Sequence, residues 1–203
     1  MADATLANIG DARGGKRRNM QPVQNMRLRA IAPGEVGALA RLFQLYCYDN
    51  TGWSGEDLLA DGRYDVCDAA LAEYVHADDH TAVWIEVDGA LAGFFLTEPG
   101  MAGAVPVQEL SDFFILKKYR RRGLALEVLR RVLLGSEASD TGGTGAGSVT
   151  TWLVAMFRDD AAACAFWQQA FARLPLGEVV PWADPALQQF HLYLLKPPRK
   201  AAP

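Results

Sequence analysis

The stretch "DFFILKKYRRRGLALEVLRR", residues 112–131, joins an apolar strand to a helix through a strongly basic turn. Four apolar residues follow the first acid, and five of the next six residues are cations. A single glycine, Gly123, then precedes leucines that recur at helical spacing. Helix N-termini carry unpaired N–H groups and a partial positive charge, which bind anions and phosphate above all. The stretch therefore predicts an anion-binding turn.

The residues of this turn favour a pyrophosphate ligand. Gly123 has no Cβ and lets a ligand approach the backbone, and Ala125 keeps the next exposed position small. Arg120, Arg121 and Arg122 add positive charge around the same point. Neither a Walker lysine motif nor GxGxxG is present, so neither a P-loop nor a Rossmann site is indicated. The alternative interpretation is a solvated basic helix start with ordinary arginines.

Length and composition indicate one domain of moderate size with a substantial core, because half of the 203 residues are hydrophobic and 22% are charged. We expect residues 1–24 to be a flexible tail, 25–197 the domain, and 198–203 a C-terminal tail. No apolar run approaches about 18 residues, and the N-terminus lacks the apolar core of a secretory signal. We therefore expect no membrane span and a cytoplasmic protein, whose three widely spaced cysteines stay reduced.

Charge is distributed unevenly along the chain. The net charge of −4 argues against nucleic acid as a partner. Residues 49–79 hold nine acids against the single cation Arg63, whereas residues 117–131 hold seven cations against the single acid Glu127. One part of the surface is predicted to be negative and another positive.

The periodicity of apolar residues predicts a mixed α/β domain. Strands are predicted at 26–31, in a hairpin over 81–99 around Asp88-Gly89, and at 105–116, 149–157 and 187–196. Helices are predicted to begin at the "APGE" of residues 32–35 and to cover 68–76, 123–134 and 159–174. Segments 49–66 and 135–148 are predicted to be loops.

The turn also resembles a family motif. "RRRGLA" has the form [Q/R]-x-x-G-x-[G/A], with Arg120, Gly123 and Ala125 at the fixed places. It resembles the acetyl-CoA signature of the GNAT superfamily of N-acetyltransferases. The resemblance spans about residues 26–196, includes the order of elements, and with "DGRYDV" upstream and "AFWQQ" downstream is similar to a bacterial subgroup.

The resemblance implies a fold and a cofactor site. It implies a single GNAT-like domain with a mixed central sheet of about six to seven strands, flanked by about four helices, with the fourth and fifth strands splayed apart. Acetyl-CoA is implied as co-substrate. Its pyrophosphate would be held by backbone amides of the turn: Arg121, Arg122, Gly123, Leu124 and Ala125. The side chains of Arg120 and Arg121 would either meet phosphate or be solvated.

The same resemblance implies where the thioester would lie. Ile115 stands five residues before Arg120, where the family has a residue that pairs with pantetheine. The backbone amides of Phe114 to Leu116 would polarise the carbonyl. Asp160 takes a place that is Asn in many family members, and we include it among the cofactor-binding residues.

Two carboxylates qualify as the base that acetyl transfer to an amine requires. Glu109 lies eleven residues before Arg120, where many family members carry an acid, and Asp112 lies eight before it. On a regular strand their side chains point to opposite faces, and a bulge would change that. Both therefore stay candidates, Glu109 through a water molecule.

The general acid is missing from its usual place. Many family members carry a Tyr that protonates the leaving thiolate, and here Trp167 stands instead. Trp has no dissociable proton of useful pKa, so we expect it to pack against the sheet. Tyr193, Tyr119, Cys164 or water could take over, or no acid is needed.

Three functions compete on this evidence. The first is an acetyl-CoA-dependent acyltransferase that acetylates a small-molecule or peptide amine, with a cationic acceptor favoured by the acids of 49–79. The second is a non-catalytic acyl-CoA-binding domain that regulates or assembles. The third, a nucleic-acid binder, conflicts with the acidic total and with the lack of aromatic residues interleaved in the basic run.

The histidines form no metal pattern, and a homodimer is compatible with the sequence.

Overall fold

The computed structural model describes residues 25–135, 151–196 and 198. Seven strands form one sheet in the order β1-β2-β3-β4-β5-β7-β6. The strands are β1 (Met26–Ala30), β2 (Thr81–Val87), β3 (Ala90–Ala102), β4 (Val105–Ile115), β5 (Trp152–Phe157), β6 (Glu178–Trp182) and β7 (Phe190–Lys196). The helices are α1 (Val36–Ser54), α2 (Asp68–His76), α3 (Leu124–Leu134) and α4 (Ala161–Arg173), with short 3-10 turns at Pro33–Glu35 and Lys117–Tyr119.

The sheet is mixed because one pair of neighbouring strands is parallel. All other neighbours pair antiparallel, whereas β4 and β5 run parallel. Their pairing joins Gln108–Leu110 to Trp152–Val154, and within the described residues it extends no further. Beyond Leu110 the two strands diverge, as the predicted splayed pair requires.

Helices cover both faces of the sheet, which explains why its strands are apolar almost throughout. On β2, Val83 and Ile85 pack in a core cluster with α3 and α4, while Ala82 and Trp84 pack in a second cluster with α1 and α2. Alternate residues of a strand point to opposite faces, so burial on both faces makes each run continuously hydrophobic. A third, smaller cluster joins β5 and β7 to the β3–β4 hairpin.

The prediction that residues 49–66 form a loop is wrong for its first part. Helix α1 continues to Ser54 and ends at Gly55, whose φ of 71° is left-handed. The weak helix formers of 49–54 made a loop the local preference, and tertiary contacts override it. One such contact is the ion pair that Asp49 forms with Lys117, with Oδ1 3.0 Å from Nζ.

The last strands also differ from prediction. Strand β6 was missed because it is short and contains Pro181. It forms by pairing with β7, helped by an ion pair of 2.6 Å between Lys196 Nζ and Glu178 Oε2. The strand predicted at 187–196 begins only at Phe190, because Leu187 accepts the Phe190 amide in a turn.

Several predicted segments lie wholly or partly outside the described residues. These are the tail 1–24, residues 136–148 of the predicted loop, the start of the strand predicted at 149–157, and most of 197–203. In the described portion, no helix combines the length and apolar character needed to cross a bilayer.

Candidate functional site

The turn before α3 presents free backbone donors. Gly123 precedes the helix with a φ of 79°, and Arg121 is also left-handed at 61°. Among residues 25–135 and 151–196, the amides of 121–126 donate to no protein acceptor. A Cβ built on Gly123 would meet no heavy atom within 4 Å, so the space beside these amides admits a ligand. The turn therefore fits an anion such as pyrophosphate.

The side chain of Arg120 does not take the phosphate role considered for it. Its Nε donates to the Ile115 carbonyl at 2.6 Å, and its guanidinium pairs with the Asp49 carboxylate. It also lies over the Phe114 ring, 5.4 Å from the centroid. Arg120 thus ties the end of β4 to α1, because its acceptors are a carbonyl of β4 and a carboxylate of α1, which also offsets its charge.

The other cations of the basic stretch divide into paired and unpaired side chains. Arg130 and Arg131 both bind Glu127, at 2.8 and 2.9 Å, one turn along the helix. Those hydrogen bonds lower the pKa of Glu127 to about 2. Within the described part of the chain, Arg121 and Arg122 have no acidic partner. Lys118 has no acidic partner among the described residues either, but its Nζ lies over the Tyr119 ring, 5.0 Å from the centroid. Arg121 and Arg122, next to Gly123, are therefore the cations best placed for an anion at the turn.

The splay between β4 and β5 exposes backbone at the end of β4. The Leu116 amide donates to the Ala92 carbonyl on β3 at 2.8 Å, so it cannot serve a ligand, contrary to the expectation for Leu116. In an antiparallel ladder alternate residues bond to the same neighbour, which directs the Phe114 amide to β3 as well. The Ile115 amide points the other way, toward the side that β5 has left. Of the three predicted donors, Ile115 is the one whose amide has no acceptor within 25–135 and 151–196.

A bulge in β4 brings the two candidate bases onto one face. Leu96 pairs with Asp112 but Thr97 pairs with Leu110, which makes Ser111 an extra residue on β4. Leu110 accordingly packs under α3 and α4, whereas Phe114, four residues later, packs under α1 and α2. A regular strand would put both on the same face. Glu109 and Asp112 therefore both face α1 and α2.

The environment of these carboxylates favours their protonated forms. Burial raises the pKa of Asp112 to about 6, and the negative charges of Glu98 and Glu109 add to the shift, while the Tyr46 hydroxyl acts in the opposite direction. Burial and Glu98 also raise the pKa of Glu109. A carboxylate whose pKa lies near neutrality can accept a proton from an amine and release it again.

Glu98 belongs to this site, although the sequence did not single it out. It lies on β3 directly opposite Glu109, and it accepts hydrogen bonds from Tyr74 at 2.6 Å and from Ser111 at 2.8 Å. The signal in the sequence was Gly103, whose left-handed φ of 62° lies in the short turn that joins β3 to β4 and so places strand 105–116 beside Glu98. The one-residue bulge at Ser111 determines which residues of β4 lie opposite which residues of β3, and it leaves no signal in the sequence.

Asp160 and Trp167, which follow β5, both make contacts within the protein. Asp160 caps α4 by accepting the Ala163 amide at 2.9 Å, which commits one of its oxygens. Trp167 is buried in the core beside Phe166 and Phe171, as expected.

The candidates for the missing acid are also placed by the fold. Tyr119 is buried in the core, and Tyr193 packs on Phe171 with ring centroids 4.9 Å apart. The Cys164 thiol is half-buried, and burial together with Asp160 raises its pKa. The thiol is directed at the backbone carbonyls of Phe157 and Arg158, with Sγ 3.6 and 3.8 Å from their oxygens. Tyr193, Cys164 and water all stay candidates for the proton donor.

Part of the acidic charge of 49–79 is balanced within the protein. Asp49 pairs with Lys117 and Arg120, and Asp61 pairs with Arg63 at 2.6 Å. Glu98, Glu109 and Asp112 on the sheet add negative charge to the α1–α2 face, a source that the count of acids in 49–79 did not include. No group of His, Cys, Asp and Glu side chains in the described segments could hold a metal ion.

Comparison with known proteins agrees with this geometry. The sequence model of the acetyltransferase (GNAT) family matches residues 41–171, more than half of the chain. None of the curated protein sequences matches the chain.

Several solved structures share the fold at low sequence identity. An acetyltransferase from Thermus thermophilus aligns with a TM-score of 0.58 at 17% identity, covering 87% of this chain and 99% of that one. Diaminobutyrate acetyltransferase EctA from Paenibacillus lautus, solved with L-2,4-diaminobutyric acid and coenzyme A, aligns with a TM-score of 0.57 at 11% identity over 88% and 99% of the two chains. PaiA N-acetyltransferase from Thermoplasma acidophilum, solved with coenzyme A, aligns at 0.50 and 9% over 85% and 99%.

The unpaired amides before α3, the strands that part beside them and the family match over residues 41–171 lead to one assignment. The chain belongs to the GNAT family of acetyltransferases.

Proposed function

We propose that the chain transfers the acetyl group of acetyl-CoA to a primary amine by direct attack, and that it prefers cationic acceptors. The observation that carries this proposal is the Ser111 bulge, which turns Glu109 and Asp112 toward the same face where β4 leaves β5. Proton acceptors and the free Ile115 amide then lie along one short stretch of strand.

The residues before α3 fit the coenzyme. The amides of 121–125 would bind the pyrophosphate, with Arg121 and Arg122 supplying charge. Bound acetyl-CoA would supply the thioester that the amine attacks. The Ile115 amide is then the donor for the thioester carbonyl oxygen, on which negative charge develops during attack.

Asp112 is the base that we favour. It lies three residues before Ile115, roughly 10 Å along the strand, which an amine and a carboxylate side chain can span together. Asp112 removes one proton from the bound ammonium, the nitrogen bonds to the carbonyl carbon, and the carbon–sulfur bond breaks. The second proton that the nitrogen loses on becoming an amide passes through water to the leaving thiolate, since Trp167 cannot supply a proton. The proton on Asp112 then returns to solvent. Glu109, farther from Ile115, acts through water or by attracting the ammonium.

The acceptor class follows from charge. Glu98, Glu109 and Asp112 make the α1–α2 face of the sheet negative, and a negative cleft concentrates cationic ligands. Diaminobutyric acid, the substrate of the Paenibacillus lautus enzyme, is a basic amino acid and belongs in the set of acceptors to test. Peptide amines belong there as well. The cytoplasmic location, the absence of nucleic-acid and membrane partners and the homodimer stay predictions.

The test is thiol release from acetyl-CoA over a panel of small amines and peptides, with mass spectrometry of the products. We expect an acetylated amine in stoichiometric amount with the thiol. Coenzyme A binding by calorimetry without turnover on any amine would contradict the proposal and support the non-catalytic acyl-CoA-binding alternative.

A further inference from the structure

The carboxylate of Glu98 connects three separate parts of the molecule at the candidate acceptor face. One oxygen, Oε1, accepts the Tyr74 hydroxyl of α2 at 2.6 Å and the Ser111 hydroxyl of the β4 bulge at 2.8 Å. The other oxygen, Oε2, lies 3.6 Å from His80 Nε2, in the turn between α2 and β2. A single side chain thus links a helix, a turn and the irregular point of a neighbouring strand.

These contacts hold the bulge from one side. Ser111 is the extra residue of β4, so its backbone has no cross-strand partner of its own. Its hydroxyl is anchored on Glu98 instead. Beside the bulge, the Gln108 side-chain amide donates to the buried Thr97 hydroxyl at 3.1 Å. The position of Asp112, directly after Ser111, depends on this anchoring.

Glu98 is itself held in place from the protein side. The Tyr74 ring lies edge-on to His80 with centroids 5.2 Å apart, and His80 Nδ1 is 2.7 Å from Asp79 Oδ1. The Glu98 side chain is about one-third exposed and the His80 side chain is 15% exposed. Glu98 therefore stands opposite Glu109 with little freedom to move away from it.

We propose, resting on the proposed function, that Glu98 is a positioning residue for acetyl transfer. Its carboxylate fastens the Ser111 bulge to α2 and His80, so that Asp112 and Glu109 are held on the acceptor face with a fixed negative charge beside them. It does not touch the reacting atoms.

Charge on Glu98 then has a predictable effect on the bases. Like charges favour protonated carboxyls, and Glu98 raises the pKa of both Asp112 and Glu109. The titratable and charged groups that face these carboxyls are Tyr46 and Cys47 from α1, Tyr74 from α2, His80 from the following turn, and Glu98 from β3. Removing the Glu98 charge alone lowers both pKa values.

The experiment compares Glu98→Gln, Ser111→Ala and a control, Glu178→Gln, whose exposed carboxylate on β6 pairs with Lys196. The kcat/KM of each full-length protein is measured against pH with an accepted amine. For Glu98→Gln we expect the acidic limb to move to lower pH by about 0.5 to 1 unit, with KM for acetyl-CoA unchanged. For Ser111→Ala we expect kcat to fall about fivefold or more, because the bulge loses its anchor. The control should match the wild type.

A second readout does not need turnover. Carbon-13 NMR titration of the Asp112 carboxyl, assigned with Asp112→Asn, should give a lower midpoint in Glu98→Gln and a shift toward an ordinary aspartate in Ser111→Ala. If no amine is acetylated but these midpoints move, the proposed function fails, while the effect of Glu98 on the bulge and on the Asp112 carboxyl is still demonstrated. Should Glu98→Gln not fold, Ser111→Ala decides. Midpoints and acidic limbs equal to those of the wild type would overturn the inference.

Discussion

At the scale of single residues, Asp112 links the chemistry of the site to the stability of the protein. Its carboxyl has a pKa of about 6 in the folded chain against 3.8 for an ordinary aspartate, chiefly because of burial. A carboxyl with a raised folded pKa contributes stability that is fully present below its unfolded pKa and is lost as pH rises through the folded pKa. At neutral pH the buried, ionised Asp112 carboxylate therefore lowers the free energy of unfolding.

We expect Asp112→Asn to stabilise the protein at about pH 7.5 and to do so much less at about pH 4. The difference between the two pKa values sets an upper limit of about 3 kcal/mol on the gain in the free energy of unfolding. Urea unfolding of both proteins at the two pH values measures it, with Asp57→Asn as a control for loss of an exposed carboxyl. A gain that is the same at both pH values would refute the assigned environment of Asp112.

Gly123 is the second residue on which the account depends. Its φ of 79° costs a side chain about 1–2 kcal/mol of strain, and Glu would also bring bulk and like charge beside a pyrophosphate. Acetyl-CoA at about 100 times Kd should stabilise the wild type by roughly 2.7 kcal/mol. We expect Gly123→Glu to abolish the corresponding rise in Tm.

Gly135 supplies a matched control for that experiment. It ends the same helix, also with a left-handed φ of 58°, and Gly135→Glu therefore carries similar strain away from the turn. The control should keep its thermal shift with acetyl-CoA. A full shift in Gly123→Glu would remove the turn from the binding site.

At the scale of elements, the basic stretch before and along α3 is less uniform than its sequence indicates. Lys117, Arg120, Arg130 and Arg131 are held by Asp49 or Glu127. The number of cations thus overstates the charge available to a ligand. Of the three cations that neither acid holds, Lys118 lies over the Tyr119 ring, whereas Arg121 and Arg122 lie in the turn itself, beside Gly123.

This division predicts different effects of equivalent substitutions. Replacing Arg121 and Arg122 by Ala should weaken acetyl-CoA binding about 10-fold to 100-fold, because charge-assisted hydrogen bonds to phosphate are lost. Arg130→Ala should change the affinity little, since Arg130 is paired with Glu127. Calorimetric Kd values for both variants decide this, and equal losses would show that the cations act only through their total charge.

Elements with local sequence signals were predicted correctly, and elements that depend on distant partners were not. Helix α2 was predicted with its observed bounds, and the β2–β3 hairpin formed around Asp88-Gly89, because both signals are local. The Ser111 bulge, the continuation of α1 to Ser54 and the short strand β6 depend on partners far along the chain. Local propensity contains no information about those partners, so the shared face of Glu109 and Asp112 could be named only as a possibility.

At the scale of the whole molecule, charge separates the proposed cofactor side from the proposed acceptor side. The turn before α3 carries two arginines without an acidic partner among the described residues, while the α1–α2 face of the sheet carries three clustered carboxylates. The sequence predicted both signs and assigned the negative charge to 49–79, whereas Glu98, Glu109 and Asp112 on the sheet add to it and Asp49 is offset by Arg120. Pairing across the fold cannot be deduced from a count of charges.

This arrangement predicts how acceptors are discriminated. A dicationic amine should have a higher kcat/KM than a neutral amine of similar size, and the ratio should shrink as salt rises above physiological strength, because the field is screened. Steady-state kinetics at low and high salt measure it. Equal values for both amines at both salts would show that the carboxylates do not select acceptors.

The most direct test of the central claim is the rate of acetyl transfer to the best acceptor by Asp112→Asn and Glu109→Gln, with Glu178→Gln as control. General-base catalysis contributes about 100-fold to 10,000-fold, so we predict a fall of that order in kcat/KM for Asp112→Asn, a smaller one for Glu109→Gln and none for the control. Binding of acetyl-CoA should be unchanged in all three. Wild-type rates in both base variants would contradict the assignment of this face as the site of acetyl transfer.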